Sequence, residues 1–178
     1  MRRLALVAAL AVLAVWSPAG VCAPPSPIAR AARGDVQCYV PDTARKTCQS
    51  IAAYKVLADG KIENTAIVLV GLTPVVVMQT STLVAIKGDQ LCGPLKAEDI
   101  DKATFTVGGA PANDGQIVIL RNQMKESMAD LLNATICTAY VPQGEILIAK
   151  ETVDGVSQPK LDQPVIWVTQ AEAYKVAP

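Results

Sequence analysis

The sequence predicts an α+β fold: a mainly antiparallel β-sheet with one amphipathic helix, about residues 113–133, packed on one face and held by disulfides. Three observations carry this expectation. Short apolar runs rich in Val, Ile and Thr recur between Gly, Pro and Asp-Gly turn signals. A single long segment changes to the three-and-four spacing of a helix. Four cysteines follow an export pattern, and an even count in an oxidising compartment reads as a disulfide framework.

The export pattern comes first in the chain. Met1, Arg2 and Arg3 lead into residues 4–16, which carry no charge, and Ser17-Pro18-Ala19-Gly20-Val21-Cys22-Ala23 follows. A basic head, an apolar stretch and a small-residue exit make a secretory signal peptide. A spanning helix needs about 20 apolar residues, and this run is thirteen residues long and closed by Pro18 and Gly20. Residues 1–23 are therefore expected to be cleaved, leaving no transmembrane span and an exported chain, periplasmic or extracellular. Small residues leave three cut sites open, after Ala19, Ala23 or Ala31. A lipid anchor on Cys22 would need a small residue just before it, and β-branched Val21 stands there instead. Residues 24–35, rich in Pro, Ala and Arg with no apolar period, read as a flexible leader, and residues 36–178 as a single globular domain.

Within that domain, residues 51–57 and 61–70 read as a hairpin around Asp59-Gly60. Alternation in the second run puts Ile62, Asn64, Ala66, Val68 and Val70 on one face. Gly71-Leu72-Thr73-Pro74 breaks the run. Residues 75–80 and 82–87 then give one or two further strands, up to the turn Lys87-Gly88-Asp89. The uncharged stretch 66–86 is as long as a membrane span, but Pro74 and the Gln79-Thr80-Ser81-Thr82 block interrupt it, and its Val and Thr content suits strands. Residues 96–103 read as a solvated helical turn and 104–107 as a short strand before the loop Gly108-Gly109-Ala110-Pro111.

Ile117, Leu120, Met124, Met128, Leu131 and Leu132 then recur at intervals of mostly three and four, with Asn113 or Asp114 placed to cap the helix. Strands at 136–141 and 145–153 follow, joined through Pro142-Gln143-Gly144. Asp154-Gly155 forms a turn, and the last strand is 165–169, where Trp167 reads as strand core. Asn133-Ala134-Thr135 matches a glycosylation sequon, which is a chance match if the source is bacterial, as the style of the signal suggests.

Cys38, Cys48, Cys92 and Cys137 remain after cleavage, and three pairings are open. The favoured one is Cys38–Cys48 with Cys92–Cys137, because Pro41-Asp42-Thr43-Ala44 lets the chain double back between the first two. No pair has the Cys-x-x-Cys spacing of a redox site.

Composition narrows the chemistry. The chain has no histidine, which removes Ser-His-Asp and Cys-His activation, imidazole metal ligands and the usual base near neutral pH. Without residues 1–23 it carries 14 basic and 16 acidic residues, so no basic stripe suits nucleic acid. Glu98, Asp99, Asp101 and Glu145 are candidate acids, but the first three lack the ligand spacing of a calcium loop. Ser127 and Lys125 are candidate dyad members, yet a spacing of two turns them to opposite sides of a helix. No catalytic, cofactor-binding or metal residue is therefore assigned, and no cofactor is expected.

The leading expectation is an exported, non-catalytic structural or protein-binding module. Its partner would be another envelope protein, met at an exposed sheet edge or at Tyr140-Val141-Pro142. The alternatives are a carrier of a small apolar ligand between helix and sheet, and a histidine-independent envelope hydrolase using paired carboxylates.

Overall fold

The computed structural model describes residues 26–178. The expected signal peptide, its cut sites at Ala19 and Ala23, and Cys22 lie outside the described residues.

Among the described residues, thirteen strands and two α-helices follow in chain order. The first half holds β1 (Val36–Tyr39), β2 (Thr47–Cys48), β3 (Ser50–Val56), β4 (Ile62–Leu72), β5 (Val75–Lys87), β6 (Gln90–Pro94), α1 (Ala97–Asp101), β7 (Thr104–Val107) and β8 (Ala110–Pro111). The second holds α2 (Asp114–Ser127), β9 (Thr135–Gln143), β10 (Ile146–Val153), β11 (Val156–Ser157), β12 (Gln163–Val168) and β13 (Lys175–Val176).

The sheet is mainly antiparallel but does not stay open. Strands β1, β3, β4, β5, β6, β9, β10 and β12 each pair with the next in that order, and β12 returns to β1, giving an eight-stranded barrel. Closure rests on the register Val36 with Val168 through Tyr39 with Val165. The expected picture of a sheet with one face for the helix is corrected accordingly: a closed sheet has an inside and an outside. Closure gives every barrel strand two partners, but residues 80–84 of β5 and 140–143 of β9 keep one side without a strand partner.

The hairpins sit where the turn residues require. Gly60 (φ 81°) and Gly88 (φ 65°) hold the left-handed conformations between β3 and β4 and between β5 and β6. β4 and β5 are longer than their neighbours and pair along nearly their whole length, so their hairpin runs past the barrel. There β5 leaves β6, which it pairs at 85–87, and meets β7 at 76–79. Val76 and Met78 share the alternation of Thr82 and Val84, so the barrel's inner face continues into this extension.

Helix α2 covers that continuation. Leu120 and Met124 pack on the buried cluster of Val76, Met78, Ala103 and Phe105. The helix is shorter than the expected 113–133: it starts at a capping box formed by Asn113 and Gln116, ends at Ser127, and gives way to a 3-10 turn at Ala129–Leu131. Its Val118 and Ile119 face solvent, so the run 117–120 is helical but only partly core.

The N-terminal end of the barrel is closed by residues expected to be mobile. Ala29–Arg33 forms a 3-10 helix, and Ile28 is buried against Ile62 and Leu91, with Tyr54 and Val84 beside them. Arg30 binds the buried Asp35 at 2.8 Å and lies 5.8 Å from the Trp167 ring centre. An apolar side chain with a place in the core, followed by an ion pair from partly exposed Arg30 to buried Asp35, overrides the leader-like composition.

Two disulfides staple the outside. Cys38 is bonded to Cys48, and both are buried with Val168 against Val36, Ile51 and Tyr174. Cys92 is bonded to Cys137, its direct partner across the β6–β9 ladder.

Candidate functional site

Alternation along the barrel strands turns a set of polar side chains inward. Gln37 and Tyr39 alternate on β1, and Thr138 and Tyr140 on β9. Tyr54 of β3 stands opposite Asn64 of β4, which stands opposite Thr82 of β5. Glu151 of β10 stands opposite Thr138. These residues come from six strands and converge because the sheet closes.

At the centre is a cluster of three phenols and one amide. The Tyr39 and Tyr54 hydroxyls donate to Gln37 Oε1 at 3.1 and 2.7 Å. Tyr140 Oη lies 2.7 Å from Tyr39 Oη and 3.1 Å from Tyr54 Oη. Burial is the main reason that all three phenols are held above their ordinary range, and Tyr39 and Tyr54 are held well above it. They are neutral hydrogen-bonding groups at physiological pH. Gln37 is fully buried, and its Nε2 has no partner among the described residues; neither has the buried Oδ1 of Asn64. A buried amide atom without a partner costs about 1–3 kcal/mol, so such atoms mark sites that water or a ligand completes.

Beside this cluster is a cavity of about 170 Å³, walled by Tyr39, Tyr54, Asn64, Thr82, Thr138 and Tyr140 on its polar side. Val84, Leu91, Leu95 and Ile136 supply the apolar side, and no charged residue lines it. Glu151 approaches it through Thr138, whose hydroxyl lies 2.9 and 3.1 Å from the carboxylate oxygens. Desolvation pushes the Glu151 carboxyl up to about 7, and the nearby charge of Asp162 adds to the rise. A larger open groove outside the barrel shares Thr82, Val84, Gly93 and Pro94 with the cavity. These four flank the place where β5 parts from β6, so the inside communicates with the surface there.

The residues weighed from sequence lie elsewhere. Glu98 and Asp99 line the outer groove among Lys61, Lys87, Lys96 and Lys102. Asp101 is ion-paired with Lys125, which leaves Ser127 to donate to the Met124 carbonyl. Glu145 is in the β9–β10 turn, at the far end of β9 from Thr135, where the chain nears α1. The structure does not bring these groups together. Tyr140, expected at a surface turn with Val141 and Pro142, is in strand β9 with its hydroxyl in the barrel, while Val141 is exposed. Alternation places neighbours on opposite faces, which is why the three residues do not act as one patch.

Sequence reasoning missed Gln37, Tyr39, Tyr54, Asn64 and Glu151 as a group. One signal was present: Asn64 shares a face with Ile62, Ala66 and Val68, and an amide there needs a partner.

Among the described residues no cluster of His, Cys, Asp or Glu is arranged to hold a metal ion, and no helix is long and apolar enough to cross a membrane. The chain matches no protein-family model, and no curated protein or solved structure matches it significantly.

Proposed function

We propose that the protein is an exported, disulfide-bonded barrel that binds a small ligand non-covalently in its interior. The observation that carries this reading is the cavity inside the barrel, lined by three neutral phenols together with Asn64, Thr82 and Thr138. Eight strands leave an interior that side chains fill or that holds one small ligand. The cavity, with its mixed lining, suits a ligand with both polar and apolar parts, where a wholly apolar cargo was anticipated between helix and sheet. At about 170 Å³ it also falls below the range of roughly 300–1,000 Å³ usual for drug-sized molecules.

A protein-binding reading would have only short edges to use, such as residues 80–84 of β5 and 140–143 of β9. Hydrolysis by paired carboxylates would need a second acid facing Glu151. Its charged neighbour Asp162 is instead engaged by Lys150 Nζ at 2.6 Å and by the Glu151 backbone N–H at 3.1 Å. Export is supported by the two disulfides, which persist in an oxidising compartment, and by the signal pattern of residues 1–23.

Two measurements test the reading. Fractionation with intact-mass analysis should find a processed, oxidised chain outside the cytosol; an uncut, reduced chain inside would contradict export. A screen of small polar compounds by tyrosine-ring NMR should find hits that shift Tyr39, Tyr54 and Tyr140. Hits confined to surface residues would contradict interior binding.

A further inference from the structure

Residues 26–34 lie across the end of the barrel, and among the described residues no backbone hydrogen bond joins them to it. Their bonds are internal: Ala29 N–H donates to the Ser26 carbonyl, Ala31 N–H to Ile28 and Gly34 N–H to Ala31, each at 2.9 Å. Ile28 is the only buried residue of the segment. What holds it down is side-chain contact. Ile28 sits against Ile62 and Leu91, and Arg30 binds Asp35 at 2.8 Å and lies over the Trp167 ring. Arg33 adds a longer pair to the same carboxylate at 3.7 Å.

Gly34 joins the segment to β1 in the left-handed conformation, and nothing lies within 4 Å of where a Cβ would stand. Arg30 is on one side of this glycine, and Asp35 and Trp167 are on the other. The ion pair and the ring contact therefore span a hinge. Rotation at Gly34 lifts Ile28 and Arg30 together while β1 keeps its ladder with β12.

Beneath Ile28, the same side chains serve two surfaces. Leu91, Tyr54 and Val84 belong to the Ile28 cluster and also line the cavity. One layer of side chains separates the segment from the interior space.

Extending the interior-binding reading above, we propose that residues 26–34 are a plug that swings about Gly34 and gates the end of the barrel over the cavity. The closed form is held by Ile28 and by the Arg30 contacts. In the open form Leu91 and Tyr54 lose their cover, and the cavity gains an entrance along the barrel axis besides the opening between β5 and β6. Opening breaks no ladder hydrogen bond and uncovers one apolar anchor, so it costs less than unfolding the barrel.

Thiol labelling tests the plug without any ligand, so its failure is separate from a failure of the binding reading. Cys38, Cys48, Cys92 and Cys137 are paired in disulfides, so with Cys22→Ser in place an introduced cysteine is the only free thiol. Ile28→Cys reports the plug, Leu91→Cys the wall shared with the cavity, and Val165→Cys, at a fully buried position, unfolding of the barrel. Each oxidised protein is treated with N-ethylmaleimide under native conditions. Positions 28 and 91 are expected to react about tenfold faster than 165, as sub-global opening does relative to global unfolding. Arg30→Ala removes both contacts that span the hinge and should raise the rates at 28 and 91 together by about fivefold, leaving 165 unchanged. Labelling at 28 no faster than at 165 would overturn the hinge. Acceleration at 28 without acceleration at 91 would overturn the gate. If the cysteine variants do not fold, amide exchange on the unaltered protein decides. The Ala31 and Gly34 amides should exchange faster than those of β1 and faster still in molar salt, which screens the ion pair. A rate that matches β1 or ignores salt would overturn the plug.

Discussion

Thr138 and Glu151 face each other across the β9–β10 ladder, and the threonine hydroxyl lies within 3.1 Å of both carboxylate oxygens. The pair places an acid on the inner side of the wall, where loss of solvent rather than the hydroxyl governs its proton. The folded chain holds that proton to about pH 7, against an ordinary value of 4.5. Its stabilising contribution is complete below about 4.5 and is lost as pH rises through 7. A shift of this size amounts to roughly 3 kcal/mol. Glu151→Gln should therefore raise stability at pH 8 and leave it nearly unchanged at pH 4.5, read as the difference in urea midpoint between the two. Asp162 works in the opposite sense. The Lys150 hydrogen bond lowers its range, so its contribution is present above the ordinary carboxylate value and fades in acid.

The disulfides should differ in weight. Cys92–Cys137 closes 45 residues and Cys38–Cys48 closes 10. On loop-closure entropy, replacing both cysteines of the longer loop by alanine costs about 4 kcal/mol, and of the shorter about 3 kcal/mol. Denaturation of the two double variants checks the order. Equal losses would mean that local packing, not chain entropy, sets the effect.

Ile28 closes the N-terminal end of the barrel, so its loss should be felt. Ile28→Ala should destabilise by about 2–5 kcal/mol, the range for truncating a buried aliphatic side chain. The same contact bears on processing. A cut after Ala31 would remove Ile28 and the Arg30–Asp35 pair, so the mature chain is expected to begin ahead of Ile28. Intact mass of the processed protein tests this, and a chain starting at Ala32 would contradict it.

Gly93 allows β5 and β6 to approach beside the opening between the cavity and the outer groove. A Cβ there would lie 2.8 Å from Val84 Cγ1 and 3.0 Å from the Leu83 carbonyl oxygen. Gly93→Ala should then cost about 1–3 kcal/mol through overpacking. Thermal melting measures the loss, and an unchanged melting temperature would show that the strands part freely.

Local features of the fold were legible where chemistry is local. Asp59-Gly60 and Lys87-Gly88-Asp89 marked hairpins because their glycines hold a positive φ. Asn113 marked the start of α2 because its side chain caps Gln116 N–H at 3.0 Å. Four cysteines after an export pattern made two bridges legible by count. Barrel closure was not legible. It depends on β1 meeting β12 across most of the chain, and alternation within a strand says nothing about which strand lies beside it. The same gap hid the candidate site, since Gln37, Tyr54 and Tyr140 meet only when the sheet closes. Ile28 was misread for a related reason: composition near Pro24 and Pro25 suggested mobility, and only the barrel end provides a place for the side chain.

A crystal structure of the mature protein soaked with the tightest hit of the tyrosine-ring screen most directly tests whether the barrel interior is a ligand site. The account predicts one bound molecule in the space between Tyr54, Asn64 and Tyr140. Ordered water alone in that space at saturating compound would contradict it.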